Sequence, residues 1–273
     1  MISLRDLTYF YPGEELPALK NISLDIRENE FLVILGRNGS GKSTLARLLN
    51  GLLLPSQGKV EVDGWNTADA NQLQLIRQKV GLLFSNPENQ LISNQVEEDV
   101  AFGPENLGLN PAEIRRRVND SLRLVSMESY KDSAPAFLSG GQKQKIAIAG
   151  VMAMKPRYLV LDEALSMIDP RGKREIVESI RSLHKNEGVA VIMITHDLEE
   201  AREADRVVVL EEGKVKTIST PEELFPGHAS LLALGLAPLE ISHIIAEINR
   251  QGILLRTDIL DMDKLVEEIC HFI

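Results

Sequence analysis

The chain has 273 residues, 44% of them hydrophobic, with a net charge of −10 and one cysteine, Cys270. At ~100–200 residues per domain, this length supports one large domain, or a domain with an appendage, whose core needs neither disulfides nor a structural metal. The acidic balance argues against a nucleic-acid surface, the lone cysteine excludes a disulfide framework and fits a reducing compartment, and no apolar run reaches the ~18 residues of a membrane span. Arg5 and Asp6 leave no signal-peptide core near the start. A soluble, cytoplasmic globular protein is expected, one that meets a membrane only through a partner.

Residues 2–10, 19–26 and the apolar, β-branched run 31–35 read as strands, the last ending at Gly36. Residues 59–62 followed by Asp63-Gly64 read as a strand with a tight turn. These early strands lie close together with little helix between them, which suggests an antiparallel β subdomain. From Val80 the pattern changes: apolar strands at 80–84, 158–161, 189–195 and 206–210 alternate with long helical stretches, as in a parallel α/β sheet. No strand pattern appears over 85–156. Pro111 suits a first helical position, and Ile114, Val118, Leu122 and Val125 then share one face, so a helical insertion of roughly 70 residues is expected from the 3.6-residue period. After Pro221, Ile241, Ile244, Ile245 and Ile248 make one helical stripe and Leu265, Ile269 and Phe272 another, with an acidic outer face from Asp258 onward. There are no internal repeats.

Residues 36–43, Gly-Arg-Asn-Gly-Ser-Gly-Lys-Ser, fit G-x-x-x-x-G-K-[ST] between an apolar strand and a helical run. Glycines let successive backbone N–H groups turn inward towards phosphate oxygens, and the following helix N-terminus adds positive potential. Asn38, Gly39, Ser40, Gly41 and Thr44 belong to this cradle. Lys42 can neutralise the β and γ phosphates, and the Ser43 hydroxyl can complete a Mg²⁺ shell. The strand at 158–161 runs into Asp162 and Glu163. Adjacent strand residues point different ways, so Asp162 can hold Mg²⁺ through water while Glu163 polarises the attacking water. Taken alone, an apolar strand ending in Asp-Glu is as readily structural.

Leu138-Ser139-Gly140-Gly141-Gln142 precedes that strand by about twenty residues, and at a helix start it offers an anion site, although an ordinary serine N-cap has the same look. In its order and distance to Asp162 the motif resembles the signature of ABC ATPases. The resemblance implies a P-loop fold of ABC type: a parallel-sheet core with an antiparallel β subdomain, a helical insertion at about 86–156 and a small C-terminal helical appendage. The nucleotide-binding domain then spans 1–220 and the appendage 221–273. The same resemblance implies ATP and Mg²⁺ as ligands, and a head-to-tail dimer in which Ser139, Gly140, Gly141 and Gln142 complete the partner's ATP site. It places Tyr11 against adenine, with Tyr9 and Phe10 as competitors. It makes 166–169, ending in Asp169, a loop that reaches across the dimer, and it gives His196 a γ-phosphate contact. His184, His228, His243 and His271 have no metal spacing, and Trp65 and Cys270 read as structural.

The stretch 86–109, beginning Asn86-Pro87-Glu88-Asn89-Gln90, is similar to the ATPase subunits of energy-coupling factor transporters, importers of vitamins, cobalt or nickel. The resemblance implies a coupling membrane subunit, a separate substrate-binding membrane subunit, and residence on the cytoplasmic face of the membrane. An importer fed by a binding protein is the alternative within the class, and a soluble ABC protein of translation or DNA repair the alternative outside it. Two positions depart from the pattern. The Q-loop glutamine is replaced by Ser85, and the Pro-Thr-Ser run after Glu163 is Ala164-Leu165-Ser166. The first departure points to a heterodimer with a paralogue that carries the better ATP site.

Overall fold

A computed structural model describes residues 1–225, 231–232, 234–259 and 262–270. A four-stranded antiparallel sheet has the order β2-β1-β4-β5, built from β1 (Ile2–Tyr9), β2 (Leu19–Ile26), β4 (Gln57–Val62) and β5 (Trp65–Asn66). On β1 the buried set changes from Ile2 and Leu4 to Leu7 and Tyr9, a switch of parity. Register shifts against β2 between Leu4 and Leu7 and between Leu7 and Tyr9 accommodate it, since a slipped residue otherwise turns the apolar face to solvent. Asp63 and Gly64, at φ 50° and 85°, close the β4–β5 hairpin as the Asp-Gly pair predicts.

The second sheet has the order β10-β9-β3-β8-β7-β6, with β3 (Phe31–Leu35), β6 (Val80–Leu83), β7 (Tyr158–Asp162), β8 (Ala190–Thr195), β9 (Arg206–Glu211) and β10 (Lys214–Ser219). Its pairings are parallel except β9 with β10. This corrects the grouping of 31–35 with the early antiparallel strands. All five residues of β3 are buried, which is the mark of a strand covered on both faces. Leu32 and Ile34 join the core under the antiparallel sheet, together with Leu45, Leu48 and Leu49 of α1 (Lys42–Leu49). Phe31, Val33 and Leu35 join the other core. The hairpin between β9 and β10 also touches the first sheet: the Gly213 N–H donates to the Ser40 carbonyl at 3.1 Å, and the Gly213 carbonyl accepts from the Lys20 N–H at 2.8 Å.

Between α2 (Leu73–Lys79) with β6 and β7 lies the helical stretch, with α3 (Val96–Asn106), α4 (Pro111–Leu124) and α5 (Gly140–Ala153). Asn110 caps α4 by accepting the Glu113 N–H at 2.9 Å, Val118, Leu122 and Val125 are buried, and Ile114 packs against them. After β7 come α6 (Pro170–Glu187), α7 (Pro221–Leu224), α8 (Glu240–Arg250) and α9 (Met262–Cys270). On α8, Ile241 and Ile245 are buried and Ile248 packs on the core, but Ile244 is exposed. At 100° per residue it sits about 60° to one side of Ile241, at the edge of the stripe. Leu265 is buried and Ile269 packs beside it. Phe272, His228 and His271 lie outside the described residues. No helix among the described residues is long and apolar enough to cross a membrane.

Candidate functional site: a phosphate loop at the carboxyl edge of the parallel sheet

In parallel strands the carboxyl ends share one edge. Leu35 pairs with Thr195 and Asp162 with Ile194, so the loops after β3, β7 and β8 converge where α/β sheets bind ligands. From β3 the chain turns through 36–41 into α1. Gly41, at φ 99°, caps that helix, and a Cβ there would lie 2.7 Å from both the Ala18 carbonyl and Leu19 Cδ2. Only glycine fits. The Lys42 side chain folds back over the loop, where its Nζ donates to the carbonyls of Gly36 at 2.7 Å and Arg37 at 3.1 Å. Burial pushes the Lys42 ammonium's pKa down, while Glu163 and Asp162 hold it up. The Ser40 hydroxyl is buried and has no protein partner.

Ser43 donates from Oγ to Asp162 Oδ1 at 2.8 Å. Asp162, at the end of β7, is buried, which raises its pKa; the Ser43 bond opposes the shift and the adjacent Glu163 adds to it. Serine hydroxyl and carboxylate together make a hard oxygen pair of the kind Mg²⁺ accepts, since that ion keeps most of its water and takes few protein ligands. Glu163 follows at φ 50°, a left-handed conformation unusual for glutamate, and its N–H donates to the Ile194 carbonyl at 3.0 Å. That turn aims the carboxylate away from Asp162. Glu163 Oε1 lies 3.7 Å from Lys42 Nζ and 3.7 Å from His196 Nδ1. His196 is 64% exposed, free to meet a ligand over the loop. The two carboxylates thus take different surroundings, but the left-handed turn at Glu163, one residue past the end of β7, separates them rather than strand alternation.

Tyr11 is half-buried, and its hydroxyl meets Thr44 Oγ1 at 3.0 Å. Its ring meets that of Tyr9 edge to face with centroids 5.0 Å apart. Tyr9 is buried in the core, and the Phe10 N–H donates to Ser56 Oγ at 3.0 Å, which leaves Tyr11 as the aromatic bonded at the start of α1. Ser139 caps α5 with a reciprocal pair, accepting the Gln142 N–H at 3.3 Å while its own N–H donates to Gln142 Oε1 at 2.9 Å. Among the described residues, the segment 139–142 makes no hydrogen bond to the phosphate loop. It packs instead against 166–169: Cβ atoms at Gly140 and Gly141 would lie 3.0 Å from Met167 Cε and 3.1 Å from the Met167 carbonyl. Asp169 caps α6, accepting the N–H groups of Arg171 at 3.1 Å and Gly172 at 3.0 Å. Ser85 is exposed just beyond β6, and the neighbouring Phe84 carbonyl accepts from the buried Gln144 amide at 3.0 Å.

Lys173 was invisible to motif reading. It sits one turn into α6 from Asp169 and bonds Asp197 and Glu200 of the loop after His196. Its spacing of four residues from a capping aspartate is the only signal in the sequence, and it does not name the partner. His184 is a packing residue, with Nδ1 at 3.0 Å from the Val189 carbonyl and its ring against Phe31. Trp65 carries Lys79 Nζ 4.3 Å over its ring, and Cys270 is exposed.

A phosphate loop leaving one strand of a parallel sheet, with paired carboxylates at the same edge, defines a P-loop nucleotide hydrolase. Residues 19–166 match the protein family described as ABC transporter. The chain is 94% identical over 273 residues, the full length of both proteins, to the energy-coupling factor transporter ATP-binding protein EcfA of Syntrophomonas wolfei. Among solved structures it resembles the dimeric ATP-binding cassette MJ0796 in a post-hydrolysis state bound to ADP and Pi, with TM-score 0.76, 31% identity, and 81% of this chain and 99% of that one covered. It also resembles cbiO1 of Clostridium perfringens, described as part of the ABC transporter complex cbiONQ, with TM-score 0.75, 36% identity and coverage of 90% and 98%. The chain belongs to the ABC transporter family, among the ATP-binding proteins of energy-coupling factor transporters, and its reaction is ATP hydrolysis.

Proposed function

We propose that this ATPase drives an energy-coupling factor importer for a vitamin or a transition-metal ion of the cobalt or nickel kind, through ATP-dependent closure of a dimer docked on membrane subunits. The observation that carries the reading is the meeting of Lys42, Ser43, Asp162 and Glu163 at one sheet edge, while among the described residues the capped segment 139–142 makes no hydrogen bond to that loop. One chain supplies half of each of two sites, so nucleotide joins two chains.

In this reading Lys42 gives up its bonds to the Gly36 and Arg37 carbonyls for the β and γ phosphates. The backbone of 38–41, Thr44 and the start of α1 surround the triphosphate, and Tyr11 packs beside adenine. Glu163 accepts a proton from the attacking water, and His196 donates to the γ-phosphate oxygens. Ser43 and Asp162 would hold Mg²⁺, which supplies charge neutralisation between phosphates. Ser139 to Gln142, with Asp169 beside them, face the partner's phosphates. Residues 1–220 form the nucleotide-binding domain and 221–273 the appendage. The chain lies on the cytoplasmic face of the membrane, bound to a coupling subunit and a substrate-binding subunit and to no nucleic acid.

Ser85, shorter than glutamine and without an amide, reaches less far towards water and metal. We infer a heterodimer with a paralogue that carries glutamine there, in which the site on Lys42 turns over more slowly than the site completed by Ser139. Disabling each site in the purified native assembly tests this. Lys42→Ala should cost less hydrolysis than loss of the partner's matching lysine. Equal losses, or an assembly holding two copies of this chain, would defeat the asymmetry.

A further inference from the structure

His196 needs an exact place and has little of its own to hold it. It is 64% exposed, and its one described side-chain contact is Glu163 at 3.7 Å. Its position is therefore set by the backbone on either side. On one side is Thr195, the buried end of β8. On the other is Asp197, whose carboxylate is held from two directions. Within the loop, Asp197 Oδ1 accepts the Glu199 N–H at 3.0 Å, and the Asp197 N–H donates to Thr195 Oγ1 at 3.0 Å. From outside the loop, Lys173 Nζ donates to Asp197 Oδ2 at 2.8 Å and meets Glu200 Oε1 at 2.5 Å.

Lys173 stands on α6, four residues after Asp169, the cap of that helix. Glu163, Ser166, Lys173, His196, Asp197 and Glu200 line a single cleft of about 210 Å³. The ammonium thus ties the helix that begins at Asp169 to the loop that carries His196. Charge favours the arrangement: burial opposes the Lys173 ammonium, yet the bonds to Asp197 and Glu200 prevail and raise its pKa. Burial likewise works against the Asp197 carboxylate, but the bonds from Lys173 and the Glu199 N–H, with the charges of Lys173 and His196, together outweigh it and lower its pKa.

We propose that Lys173 is a positioning residue for ATP hydrolysis, a strut from α6 to Asp197 that fixes His196 against Glu163. It does not touch the nucleotide. The proposal rests on the catalytic reading of Glu163 and His196 given above. Loss of the strut leaves the phosphate loop, Lys42 and Ser43 unchanged, so binding of ATP should survive while the rate of its cleavage falls. Displacements of an ångström at a reacting centre are enough to lower rates by orders of magnitude.

The experiment uses the native transporter assembly, with kcat, KM for MgATP, equilibrium ATP binding and Tm measured on each variant. Lys173→Met should lower kcat ~10-fold or more with KM and ATP affinity within about threefold of the parent. Lys173→Arg, which keeps charge and reach, should recover most of the rate. Lys173→Met also leaves Glu200 buried without its ammonium and so lowers Tm. The double variant Lys173→Met with Glu200→Gln should regain Tm yet stay slow, because Asp197 keeps its bonds within the loop but still lacks the one from α6. A return of kcat together with Tm would overturn the proposal, as would an unchanged kcat in Lys173→Met or a loss confined to ATP affinity. Glu163→Gln is the control. If it too leaves turnover intact, the catalytic reading fails; if it abolishes turnover while Lys173→Met does not lower kcat, the strut alone is wrong.

Discussion

In the proposed mechanism the chemistry turns on Glu163, and the backbone of that residue shows what holding it costs. A non-glycine residue at φ 50° is strained by roughly 1–3 kcal/mol, and the Glu163 N–H bond to the Ile194 carbonyl is what keeps it there. The strained turn separates the surroundings of two adjacent acids: Asp162 remains buried against Ser43, and Glu163 lies towards Lys42 and His196. Glutamine has the same shape and can keep the same turn, but it cannot take a proton. Glu163→Gln should therefore retain ATP binding and lose ~10²-fold or more in single-turnover hydrolysis. Fluorescent-nucleotide titration and phosphate release on the same preparation separate the two effects. Unchanged hydrolysis would move the base elsewhere.

At the scale of elements, we propose that α3 and the loop before it form the surface that meets the membrane subunits. Phe102 and Ile92 are exposed beside a groove of about 230 Å³ that Gln90, Ile146 and Met154 also line. Val96 and Val100 face inward as core, and Glu98 faces solvent. Charge reversal in Glu98→Lys also opposes the helix dipole at the first turn, worth about 0.3–1 kcal/mol, too little to unfold the protein. It should reduce co-purification with the membrane subunits, or uptake, severalfold while sparing ATP binding by the isolated subunit. Intact assembly and uptake would remove this surface from the coupling path. Elements differ in how openly they are written. β3, β7 and β8 are legible because a strand buried on both faces must be a continuous apolar run, and the phosphate loop because its glycines are conformational necessities. β10 alternates exposed Lys214 and Lys216 with half-buried Val215 and Thr217, an edge strand whose partner β9 supplies the reason for its shape. The grouping of β3 failed because chain proximity is a poor guide to sheet membership when a strand crosses to the next layer. Lys173 with Asp197 was hidden for a related reason: the contact joins residues 24 apart on two elements, and neither residue alone carries a pattern.

On the whole molecule, the two sheets meet at Asp63. Its carboxylate, in the turn between β4 and β5, accepts from Lys79 at 2.8 Å, Arg157 at 3.0 Å and the Tyr158 hydroxyl at 2.6 Å, so it links α2 and β7 to the antiparallel sheet. Burial opposes its ionisation, but the bonds from Lys79, the Met1 ammonium and Tyr158 outweigh that and hold its pKa far below the ordinary aspartate value. A pKa depressed in the folded state contributes stability that is present above the unfolded value and fades as pH falls towards the folded one. Asp63→Asn should thus lower stability by ~1–3 kcal/mol near pH 7, and the gap from the parent should narrow steadily below about pH 4, where the unfolded aspartate itself protonates. Thermal melts of both proteins from pH 7 to pH 3 measure it. A gap that does not change with pH would mean that the charge of Asp63 is not what binds the sheets.

The hairpin turn at Gly213 gives the phosphate loop a listener on the opposite sheet. Its N–H ends on the Ser40 carbonyl and its carbonyl takes the Lys20 N–H, while a Cβ would strike the Ala18 carbonyl at 2.6 Å. A triphosphate that draws the loop's amides inward should shift the Ser40 carbonyl and, through these two hydrogen bonds, strain Gly213 and the start of β2. Deuterium uptake at the amides of Gly213 and Lys20 should then change with nucleotide occupancy, read on the protein and without any label on ATP.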